Sequence, residues 1–85
     1  MDMGTNMTPE DIHIDYIDAD ASAGENWADV NLEAFAATCR AAGMDIKVST
    51  DADDYDETRD CGDLIYSGAI YRVYVDRGNV FAEYV

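Results

Sequence analysis

Residues 64–75 read Leu-Ile-Tyr-Ser-Gly-Ala-Ile-Tyr-Arg-Val-Tyr-Val. β-Branched and aromatic side chains dominate this run, and they suit the pleated, half-buried surface of a sheet. Ser67-Gly68 interrupts it, as a bulge or as a two-residue hairpin turn. The register across that dipeptide decides whether Tyr71 or Tyr74 faces outward, and both options stay open. Immediately downstream, Asp76-Arg77-Gly78-Asn79 is the better hairpin signal, because Gly78 accepts the left-handed conformation such turns need. Residues 80–85 then close the chain as a last strand.

Upstream of this block, residues 51–63 form an Asp-rich connection, and residues 44–49 alternate with Met44, Ile46 and Val48 on one side. Before them, Leu32, Phe35, Ala36 and Cys39 fall at helical spacing, with Ala28 and Ala42 extending the stripe. Asn26, Asp29 and Asn31 are all acceptable N-caps. Gly43 suits the position just past the last turn, with apolar Met44 behind it, and Arg40 complements the helix dipole. The pattern predicts a helix over about residues 29–42. Residues 18–26 are small and polar and read as a loop. In residues 12–17, Ile12, Ile14 and Tyr16 alternate with His13, Asp15 and Ile17, as in a strand with one buried face. Residues 1–9 read as a flexible N-terminal arm, leaving 10–85 as a single compact α+β domain. The expected order is β-α-β-β-β, one helix packed on a mostly antiparallel four-stranded sheet.

Charge bounds the function. The chain has 85 residues, with 19 Asp or Glu against five Lys or Arg, a net of −14. The first 39 residues carry nine acids and no Lys or Arg. Residues 51–63 carry seven acids and one Arg, and residues 64–85 are balanced. No basic patch is available for direct contact with nucleic acid or an anionic membrane. Hydrophobic residues make up 48 %, too many for a disordered acidic tail. No apolar run reaches the ~18 residues of a membrane helix. The start lacks the features of a secretory signal, so a cytoplasmic location is expected.

Chemistry-bearing patterns are sparse. Cys39 falls on the apolar side of the helix, and Cys61 falls in the acidic connection, where carboxylates raise a thiol's pKa. Both are expected as reduced thiols, although a disulfide between them stays open. Counting a calcium loop from Asp51 puts Tyr55, Asp56 and Gly62 at three defining places that need other residues. Counting from Asp18 puts Gly24 one place late, and Asp29 where Glu belongs. No metal site and no cofactor are expected. His13, beside Asp15, has no nucleophile placed with it. An 85-residue chain also has little room for a substrate pocket, so an enzyme is not expected.

Acids at this density repel one another. Three functions would compensate: a cationic partner, a high-salt habitat, or bound cations. The first is favoured. Duplex DNA presents one negative charge about every 1.7 Å, and a compact acidic domain offers a comparable array to a basic groove. In size, charge, mixed α/β build and lack of catalytic motifs, the chain resembles the small acidic anti-defence proteins of phages and mobile elements. These include anti-CRISPR, anti-restriction and uracil-DNA glycosylase inhibitor proteins. The resemblance implies a DNA mimic acting in the host cytoplasm. Its partner would be a basic nucleic-acid-binding protein, such as a CRISPR effector or nuclease subunit. Charge alone nominates Asp51, Asp53, Asp54, Asp56, Glu57, Asp60 and Asp63 as partner-binding residues, then Asp15, Asp18 and Asp20, with Tyr55 as an aromatic anchor in the same block. The alternatives are a small acidic domain of a halophilic organism, since Asp outnumbers Glu 14 to five and Lys47 is the only lysine, and a calcium-binding module.

Overall fold

A computed structural model of the chain describes residues 7–49, 56 and 58–85. The strands are β1 (His13–Asp15), β2 (Ile46–Ser49), β3 (Asp60–Tyr66), β4 (Ala69–Asp76) and β5 (Asn79–Tyr84), and the helix α1 (Trp27–Ala41) lies between β1 and β2. The strands make one antiparallel sheet in the order β1-β5-β4-β3-β2. The class is α+β with one helix, as expected. The sheet has five strands where four were expected, so the order is β-α-β-β-β-β.

The extra strand comes from Ser67-Gly68. Both residues have positive φ, 51° and 79°, and Arg77-Gly78 repeat the same pair of values. Two consecutive left-handed residues match the right-handed twist of the flanking strands and close a tight hairpin. The run 64–75 is therefore two strands, with Tyr66 opposite Ala69 and Leu64 opposite Tyr71. That register resolves the tyrosines: Tyr71 is buried, and Tyr74 lies on the other face, half-buried.

β3 begins at Asp60, inside the stretch expected to be a connection. Two contacts draw it in. Asp63 pairs with Arg72 directly across the ladder, Nε to Oδ1 2.7 Å. Cys61 and Leu64 enter the core. Cys61 is thus a buried strand residue rather than a loop residue. The extra residue between Asp60 and Gly62 makes a bulge, where Gly62 adopts φ 143° and lies under Leu32.

α1 starts two residues earlier than expected, because Asn26 caps it by accepting from the amides of Ala28 and Asp29. Its end follows the expected pattern: Gly43 N–H donates to the Arg40 carbonyl and Met44 N–H to that of Cys39, the paired bonds of a Schellman stop. Leu32, Phe35, Ala36 and Cys39 are its buried stripe, meeting Ile46, Leu64, Val73 and Val80 from the sheet. Burying such side chains stabilises the fold by about 1.5–3 kcal/mol for each large one.

The segment 12–17 alternates as expected, but only three of its residues pair. Pro9 is fully buried, Met7 packs against the core, and a 3-10 turn over Pro9–Asp11 sits beside β5. The last strand lies inside the sheet between β1 and β4, so the two edges are β1 and β2. α1 covers one face. The other face carries His13, Phe81, Tyr74, Glu83, Arg72, Ile65, Ile70 and Lys47, positions that alternate with the core residues.

Candidate functional site at the acidic end of the sheet

Antiparallel order fixes which chain ends meet. β1 ends at Asp15 opposite Asn79, and Asn79 lies opposite Asp76 at the end of β4. β3 begins at Asp60 and β2 ends at Ser49 on the same side. The loop after β1, the turn after β4 and the connection into β3 therefore share one end of the molecule. Among the described acids, Asp15, Asp56, Asp60 and Asp76 lie on that side, whereas Glu10 accepts from Tyr84 N–H at the opposite end of β5.

The loop after β1 is tied down at several points. Tyr16 N–H donates to the Gly78 carbonyl, 2.9 Å. The fully buried side chain of Asn31 accepts from Ile17 N–H at 2.8 Å and donates to the carbonyls of Ile17 and Trp27. The side chain of Asp20 caps a short 3-10 turn over Ala21–Ala23, and its own N–H donates to Glu25 Oε1. This anchoring leaves Asp18, Asp20 and Glu25 exposed.

Asp20 and Asp56 are held in the same way. Ser22 donates its hydroxyl and amide to Asp20 Oδ1 at 2.6 and 3.0 Å. Thr58 does so to Asp56 Oδ1 at 2.6 and 2.9 Å. Donors favour the ionised form, the hydroxyl most, so both carboxyls are held below the usual 3.8. Both stay charged and exposed.

Of the residues nominated by charge, Asp15, Asp18, Asp20 and Asp56 are exposed at this end. Asp60 and Asp63 differ. Arg72 sits between them on the open sheet face, 3.4 Å from Asp60 Oδ2 and 2.7 Å from Asp63 Oδ1, and Asp63 is buried. Arg72 offsets one of their two charges. Asp51, Asp53, Asp54, Tyr55 and Glu57 lie outside the described residues.

Composition did not single out the row of flat groups beside this end. His13, Phe81 and Tyr74 are register neighbours on three adjacent strands of the open face. His13 and Phe81 stack with centroids 6.1 Å apart and planes 28° apart; Tyr74 and Phe81 stack at 5.8 Å and 29°. The guanidinium of Arg59 lies over the far side of Tyr74, 5.3 Å from its centroid. The Asp76–Asn79 hairpin already placed Tyr74 opposite Phe81, so this pair was within reach of the sequence.

Cys39 and Cys61 are free and buried, and loss of water raises their thiols from 9.0 to about 11 and about 12. Among the described residues, no three His, Cys, Asp or Glu side chains converge as a metal site requires. A shallow hollow of about 330 Å³ lies at the opposite end, lined by Asp45, Lys47, Ile65, Ser67 and Gly68. No described helix is long and apolar enough to cross a membrane. No protein-family model matches the chain, and no curated protein or solved structure matches it either.

Proposed function

We propose that this protein is a non-enzymatic acidic inhibitor that occupies the basic nucleic-acid-binding surface of a protein partner, of the CRISPR-effector or nuclease-subunit kind. The observation that supports this reading is that Asp15, Asp18, Asp20 and Asp56 are all exposed on one side of the sheet, where β1 and β4 end and β3 begins. Two of these carboxylates are fixed by hydroxyl donors and stay ionised. Fixed, exposed carboxylates imitate phosphates better than freely rotating ones, because less side-chain entropy is lost on binding. The charge then steers association, and nearby aromatic groups add contact area. Such a protein would act in the cytoplasm of the cell that holds its partner.

The test is capture from a bacterial lysate by the tagged protein, compared with a variant carrying Asp15→Lys, Asp18→Lys and Asp56→Lys together. Severalfold loss of a captured nucleic-acid-binding protein is expected, with the circular-dichroism spectrum unchanged. Equal capture by the variant would remove the acidic end from the interface.

A further inference from the structure

The row on the open sheet face has two unlike ends. At Tyr74 it is closed by a guanidinium, that of Arg59. At His13 it stops at β1, an edge strand, and His13 is exposed. Asp15 lies two residues further along β1, on the same face and also exposed. The open end therefore presents a planar ring with a carboxylate beside it, next to the acidic loop that holds Asp18 and Asp20.

We propose that this open end is the seat for an arginine side chain of a protein partner, its guanidinium lying on the His13 ring as Arg59 lies on Tyr74, and paired with Asp15. The inference rests on the reading of a basic protein partner and names the contact that such a partner makes. Charge complementarity selects the occupant. A net of −14 repels the phosphates of a single-stranded nucleic acid, whose bases would otherwise suit a stacking row. It also repels a second copy of the same chain. Between the two basic side chains, arginine is favoured, because its planar guanidinium stacks on rings while pairing with a carboxylate in its own plane. A lysine ammonium gains from the charge alone.

The probes are an arginine-only and a lysine-only peptide of equal length, titrated near neutral pH at about 0.1 M salt. Both are expected to bind, with arginine favoured about two- to fivefold, the range of an exposed ring–cation contact. His13→Ala should abolish that preference and leave lysine binding unchanged, while His13→Phe should keep it. Phe81→Leu, which keeps apolar cover without a ring, should weaken it. Thermal melts of all three variants confirm folding. If both peptides bind equally and His13→Ala changes neither, the arginine seat is wrong while the acidic surface stands. If neither binds, both readings fall. Tighter binding of single-stranded RNA than of either peptide, or self-association abolished by His13→Ala, would assign the row to a different occupant and overturn the inference.

Discussion

At Gly62 the chain has no room for a side chain. A methyl group there would lie 2.7 Å from Leu32 Cδ2, on a backbone with φ 143°. Gly62→Ala is expected to lower stability by about 1–3 kcal/mol, read as the shift in a denaturant midpoint. Asp63 is constrained differently: it is buried, and its main partner is Arg72 at 2.7 Å. Asp63→Ala removes a charge-assisted bond and should cost about 1.5–3 kcal/mol. Neither role was legible in the sequence. Gly62 looked like one more loop glycine, and Asp63 like one more surface acid, because their partners are 30 and nine residues away. The thiols were half-legible. Cys39 falls on the helix stripe, whereas Cys61 hid in an acidic stretch that turned out to contain a strand. Both are buried, so neither should react with a thiol reagent at neutral pH until the protein unfolds. Rapid labelling of either in the native state would contradict their burial.

Among the elements, those with local chemistry were the readable ones. The helix stop needs only Gly43 and Met44, and the last hairpin needs only Arg77-Gly78. Ser67-Gly68 has the same conformation, but a Ser-Gly pair fits a bulge as well as a turn, so the sheet gained a strand. The start of β3 was hidden for a different reason: Arg72 lies opposite Asp63 and reaches Asp60, while Cys61 and Leu64 enter the core. α1 does more than cover the sheet, since Asn31 reaches from its buried side to both backbone groups of Ile17. Asn31→Ala would leave those groups unpaired. A loss of about 1–3 kcal/mol is expected, with faster amide exchange at Ile17. Unchanged exchange there would mean that the acidic loop is held by something else.

For the whole molecule, charge and burial act in opposite directions. Dispersed carboxylates repel, and salt screens them over a length of about 10 Å at 0.1 M. The core of α1 on five strands should hold the fold at that ionic strength, with the melting temperature rising toward about 2 M KCl. Unfolding at low salt would instead favour a protein suited to a high-salt habitat. Stability should also fall in alkali. The folded thiols have raised pKa values, so their contribution is complete below 9.0 and is lost as the pH climbs toward about 11 and 12. Asp20 and Asp56 have the opposite sign. Their hydroxyl donors favour the ionised form, so that contribution is present above 3.8 and is lost as the pH falls through their lowered values. Carbon-detected NMR titration should find both carboxyls titrating below 3.8, and Ser22→Ala should return Asp20 toward it.

Asp15, Asp18, Asp20 and Asp56, far apart in sequence, come to one side of the sheet through its antiparallel order, and that placement is the basis for proposing a mimic of nucleic acid. The direct measurement is competition. A protein captured on the immobilised chain is washed with excess duplex DNA at fixed salt, and the amount released is compared with a wash lacking DNA. Release by the DNA is expected, because both ligands would occupy one basic groove. Retention of the captured protein under saturating DNA would contradict that shared site.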